Sequence, residues 1–91
     1  MYCKSTKVVN ATGLHARPAA DFVKVSKKFD SKITVTREND PKNVKANGKS
    51  LISILALCAT KDSVIHIAAE GADEVEAVET LAALVDSGLG E

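Results

Sequence analysis

Thr12-Gly13-Leu14-His15-Ala16-Arg17-Pro18-Ala19-Ala20 carries a loop into a helix, and the reading of the chain turns on it. Gly13 can take a positive φ without the clash that a Cβ brings. Pro18 fixes φ at about −65° and has no N–H, which suits a first helical turn, where that donor has no intrahelical acceptor. His15 therefore stands at a helix mouth, among open backbone amides and at the positive end of the macrodipole. Phosphate is at home in such a place. Arg17 adds a planar cation whose donors match phosphate oxygens in pairs. An imidazole that can be phosphorylated, an anion site and a guanidinium together describe a phosphohistidine site. The same residues also read as helix-start punctuation with a solvated histidine and arginine, and the stretch alone leaves both readings open.

On its amino-terminal side, Ser5 to Val9 reads as a short strand. On its carboxyl side, Ala19, Phe22, Val23, Ser26 and Phe29 recur at helical spacing, giving a helix from Ala16 to about Lys28 with one inward stripe. Lys24, Lys27 and Lys28 crowd its negative end, where a solvated basic face explains them. Residues 32–37 alternate as a strand with one wet face. Residues 38–43 are turn chemistry, and Val44-Lys45-Ala46 returns as a short strand.

Asn47-Gly48-Lys49-Ser50 turns into a second helix, from Ser50 as N-cap to about Ala59. Ile54, Leu57 and Cys58 form its core-facing set. Leu51, Ile52 and Leu55 form a second apolar cluster turned away, which in so small a domain reads as a docking patch. Residues 63–68 give another strand, with Ile65 and Ile67 inward and His66 outward, where it has no ligand-spaced companion. Asp73, Glu74 and Glu76 open a last helix with Val75, Val78, Leu81, Ala82 and Val85 buried, and Ser87-Gly88 ends it.

The order strand, helix, strand, strand, helix, strand, helix implies an α+β fold, an antiparallel sheet with helices on one face. Ninety-one residues suffice for one domain, 1–91, with one core. The formal net charge is zero and aromatics make up 3% of the chain, so neither a basic surface nor stacking platforms favour nucleic acid. Cys3 and Cys58 match no metal-ligand spacing and suit a reducing cytoplasm. Neither an apolar leader nor a membrane-length apolar run is present in the sequence, and no motif asks for a metal or organic cofactor.

Gly13-Leu14-His15-Ala16-Arg17-Pro18-Ala19 resembles the active-site signature of the HPr family, the histidine-containing phosphocarriers of the bacterial sugar phosphotransferase system. The likeness extends to Gly48-Lys49-Ser50 and to the ending Gly71-Ala72-Asp73-Glu74 and Ser87-Gly88-Leu89-Gly90-Glu91. It implies an open-faced βαββαβα sandwich, a four-stranded antiparallel sheet covered on one face by three helices. It implies that His15 takes a phosphoryl group from phospho-enzyme I, itself charged by phosphoenolpyruvate, and passes it to sugar-specific IIA proteins or domains. Arg17 would steady the phosphate, and Ala16, Ala20, Leu51, Ile52 and Leu55 would dock partners.

Ser50 matches a serine phosphorylated in many relatives by an HPr kinase/phosphorylase, a modification that engages a transcriptional regulator. The implied state is a monomeric carrier in the cytoplasm that is no turnover enzyme, binds no nucleic acid and does not insert into membranes. A purely regulatory module of the same fold and a nitrogen-branch paralogue are the alternatives, and the retained His15 and Arg17 argue against the first. Against the family pattern, the hairpin at residues 38–43 is longer by about four residues, an insertion that surface loops tolerate.

Overall fold

The computed structural model describes residues 1–89, so Gly90 and Glu91 of the carboxyl-terminal motif lie outside the described residues. The elements run β1 (Tyr2–Lys7), α1 (Ala16–Ser26), β2 (Lys32–Arg37), β3 (Ala46–Asn47), α2 (Leu51–Ala56), β4 (Val64–Glu70) and α3 (Glu74–Asp86). The four strands lie in the order β1-β4-β2-β3, and every neighbouring pair is antiparallel. This is the open-faced α+β sandwich that the element order implies. β4 shows its logic: Ile65, Ile67 and Ala69 are buried, while the alternate Val64, His66 and Ala68 stay partly exposed. The buried face meets Phe22 of α1, Ile54 of α2, and Val78, Leu81 and Val85 of α3 in one core.

β1 begins earlier than the sequence suggests, at Tyr2 rather than Ser5, and ends before Val8. Its inward positions are polar and are satisfied from α3. Tyr2 donates to Glu79 Oε1 at 2.8 Å, Lys4 Nζ lies 2.8 Å from Glu79 Oε2, and Thr6 donates to Asp86. Val8 is buried beyond the strand, and Val9 turns outward. β3 contains only Ala46 and Asn47, because the Val44 N–H goes to the Asp40 carboxylate at 3.0 Å instead of a strand partner.

α1 stops at Ser26, and its last turn tightens as Lys28 and Phe29 donate to Val25 and Ser26. α2 stops at Ala56, short of the expected Ala59. Cys58 takes φ +55° just past the Leu57 cap and is exposed, so Ala59 rather than Cys58 joins Ile54 and Leu57 in the core. Leu55 is only half-buried and packs against the core, so it is less outward than its spacing implies. Val75 is 53% exposed, because Ala77 joins the inward stripe of α3 and swings its centre away. That helix ends as expected: Gly88 at φ +88° and Leu89 return amides to Val85 and Leu84, each at 3.0 Å.

Asp73 ties the α1–β2 turn to the start of α3. It accepts the Ser31 hydroxyl, the Asp30 N–H at 2.9 Å and the Ser31 N–H at 3.0 Å. The Ser31 hydroxyl first, then the Asp30 amide, hold its carboxyl below the usual 3.8. Stability tied to a lowered carboxylate is present above the unfolded value and is lost as pH falls through the folded one. Wild type should therefore lose stability progressively from about pH 5 downward. Asp73→Asn should be less stable at neutral pH and lose less on acidification, as read from urea midpoints between neutral pH and about pH 3. Equal acid losses in the two proteins would sink the assignment.

Candidate functional site

Two buried anchors bracket His15. Leu14 is 1% exposed, and its N–H donates to the Ala59 carbonyl at 2.9 Å. Pro18 and Ala19 are buried in the first turn of α1. The chain between these anchors is pushed outward, and His15, Ala16 and Arg17 are all exposed.

The turn before His15 is held from within. Asn10 is 5% exposed, and its Nδ2 donates to the Gly13 carbonyl at 2.8 Å and to Thr12 Oγ1 at 3.3 Å. Its own carbonyl accepts the Gly13 N–H at 3.2 Å. Gly13 sits at φ +66°, and a Cβ there would lie 2.4 Å from the Ala59 oxygen. The loop thus closes directly onto the backbone that follows α2.

His15 is the N-cap of α1, with φ −132° and ψ 154°, and its ring makes no capping bond. The helical ladder begins with the Ala19 N–H reaching the His15 carbonyl at 3.5 Å. Pro18 has no amide, so Ala16 and Arg17 present theirs at the helix mouth without intrahelical acceptors. Ala16 takes φ +46°, which costs an alanine about 1–2 kcal/mol and is imposed by the anchors on either side. An exposed imidazole, two amides at the positive end of a helix dipole and an arginine in the first turn can accept a phosphoryl group. They can also spread its charge as it transfers.

α1 and α2 pack against each other and run in opposite senses. The segment after α2 meets Leu14 ahead of α1, and Lys49, before α2, donates from Nζ to the Phe29 carbonyl beyond α1 at 2.6 Å. Ala16 and Ala20 are exposed on α1. On α2, Leu51 is 41% and Ile52 82% exposed. Leu51 and Ile52 are therefore exposed on the helix whose following segment holds the His15 loop.

Ser50 caps α2, its Oγ accepting the Ser53 N–H at 3.4 Å. The Lys49 ammonium beside it donates one of its three hydrogens to the Phe29 carbonyl. His66 lies on the open sheet face opposite Ser5 and Thr36. Its Nδ1 is 2.8 Å from Ser5 Oγ and its Nε2 3.8 Å from Glu38. Among the described residues no cluster of His, Cys, Asp and Glu suits a metal ion, and no helix is long and apolar enough to cross a membrane.

Asn10 is the supporting residue that the sequence reading passes over. Its signal was present: an Asx residue three positions before a glycine is turn chemistry with its own hydrogen bonds.

A family model described as "PTS HPr component phosphorylation site" matches residues 2–87. The phosphocarrier protein HPr of Haemophilus influenzae is 44% identical over 85 residues, covering 93% of this chain and 95% of that one. This chain belongs to the HPr family. It is thus an HPr-type phosphocarrier of the phosphotransferase system, not a catalytic enzyme. A multiphosphoryl transfer protein of the same organism contains a segment 44% identical over 85 residues, matching 90% of this HPr-family chain and 16% of that protein. Among solved structures, HPr-C-His of Thermoanaerobacter tengcongensis superposes with a TM-score of 0.90 at 42% identity, covering 100% of this chain and 98% of that one.

Proposed function

We propose that His15 carries the phosphoryl group, taking it from phospho-enzyme I and giving it to the histidine of a sugar-specific IIA protein or domain. The observation that carries this reading is the uncapped, exposed imidazole at the amino end of α1. In each step a ring nitrogen attacks phosphorus in line. A new P–N bond forms as the bond to the donor imidazole breaks, and the donor nitrogen regains its lone pair. Arg17 and the Ala16 and Arg17 amides hold the equatorial oxygens, where charge is spread in the transition state. The carrier works as a single cytoplasmic, monomeric HPr domain, 1–91. The relative in which such a segment is part of a multiphosphoryl transfer protein supports a place in a phosphoryl relay. Incubation with enzyme I and labelled phosphoenolpyruvate should give one acid-labile label, and peptide mapping should find it on His15. Label mapped to His66 would overturn the assignment.

The partner-docking surface comprises Ala16 and Ala20 of α1 with Leu51, Ile52 and Leu55 of α2. Ile52→Glu tests it cleanly. The side chain is 82% exposed, and an acid in the first turn of a helix complements its dipole, so the melting temperature should hold. A charge placed in an apolar contact should raise the half-saturating concentration in the enzyme I reaction by about tenfold, or about 1.4 kcal/mol. An unchanged value would remove Ile52 from the interface.

Phosphorylation of Ser50 by an HPr kinase/phosphorylase would act on the same surface and would make the modified form a ligand for a transcriptional regulator. About two negative charges would arrive next to Leu51 and Ile52, weakening enzyme I docking.

A further inference from the structure

The long hairpin between β2 and β3 is gathered onto one carboxylate. Asp40 is nearly buried and accepts the amides of Lys42 and Val44, each at 3.0 Å. Those two amides, then the neighbouring Arg37 charge, hold its carboxyl below the usual range. Arg37 Nη2 reaches Asp40 Oδ1 at 3.4 Å, and Arg37 Nε donates to the Leu57 carbonyl at 3.0 Å. Leu57 is the C-cap of α2, and its carbonyl is among those a helix leaves without an internal partner. Two residues on, the Ala59 carbonyl receives the Leu14 N–H at 2.9 Å. Between them Cys58 holds φ +55°, a conformation that a non-glycine residue keeps only under constraint.

A continuous set of bonds therefore runs from Asp40 through Arg37 and residues 57–59 to Leu14, which precedes His15. We infer that Arg37 is a positioning residue for the His15 loop, and that the enlarged hairpin is part of the frame that presents the imidazole. The guanidinium suits this task because its fixed fork serves a carbonyl and a carboxylate at once. Lysine, with a single ammonium on a flexible stem, cannot fix both in the same geometry.

The link to catalysis rests on His15 carrying the phosphoryl group, so the test has an arm that does not. In Arg37→Ala, hydrogen exchange of the Leu14 amide should accelerate by about tenfold, while amides of the β1–β4 ladder change by less than about threefold. Phosphoryl transfer from enzyme I should fall by about tenfold in kcat with KM held, since docking is untouched and orientation is lost. Arg37→Lys should fall between, and it serves as the test protein should the alanine variant fail to fold. An unaltered Leu14 amide, or equal acceleration across the sheet, overturns the positioning role. Faster Leu14 exchange with an unchanged kcat overturns only the link to His15.

Discussion

His15→Ala is expected to lose all enzyme I-dependent labelling, a drop of at least about a thousandfold, while folding as well as wild type. The two halves of this result have separate causes. No other described side chain combines an imidazole, open helix-mouth amides and a first-turn arginine. His66, the other histidine, holds Ser5 and faces Glu38 on the uncovered side of the sheet. Stability should not suffer, because the His15 ring forms no capping bond whose loss would cost the helix. The loop keeps its shape through Asn10, Gly13 and Leu14, none of which touches the ring in forming its bonds. The measurement is labelled phosphoryl uptake alongside a thermal melt. Label retained by a well-folded His15→Ala protein would show that the acceptor is elsewhere.

The parts of this molecule legible in its sequence are those whose physics is local. A glycine, an imidazole, an arginine and a proline in close succession define a helix mouth without help from the rest of the chain. β4 declares itself through alternation, and α3 closes on a glycine in the position where a helix needs one. The sequence misleads where a distant partner changes the meaning of a residue. Tyr2 and Lys4 look unfit for inward strand positions until Glu79 is brought to them, 77 and 75 residues away.

Cys58 has the right spacing to face the core, but α2 ends before it, and the backbone turn that follows exposes the thiol. The carbonyl at the α2 cap, that of Leu57, is taken by Arg37, 20 residues back. Of the α2 residues expected to dock partners, Ile52 stands out from the helix as its spacing implies, whereas Leu55 leans into the core. Spacing places a side chain on a face, and only the packed neighbours decide how much of that face water reaches.

Gly13→Ala should be the most damaging small substitution in the loop. At φ +66° an alanine pays about 1–2 kcal/mol in backbone strain. The added methyl would also sit 2.4 Å from the Ala59 oxygen and 2.8 Å from the Thr60 Cα. Both are backbone atoms, so no side chain can swing aside, and relief of such overlap typically costs a further 1–3 kcal/mol or so. A total near 3 kcal/mol is a large share of the 5–15 kcal/mol or so by which domains are stable. The least costly relief separates the loop from residues 59–60 and stretches the Leu14–Ala59 hydrogen bond of 2.9 Å. That movement shifts His15 against its own helix mouth. Displacement of a reacting group by about 1 Å can cost about a hundredfold in rate, so transfer should fall by about that factor in molecules that remain folded. Urea unfolding and single-turnover transfer, measured where the variant is fully native, separate the two losses. A variant with wild-type stability would contradict the close approach of Gly13 to the backbone after α2. A destabilised variant with wild-type transfer would show that His15 chemistry tolerates a loose loop, and the bonds behind His15 would then serve folding alone.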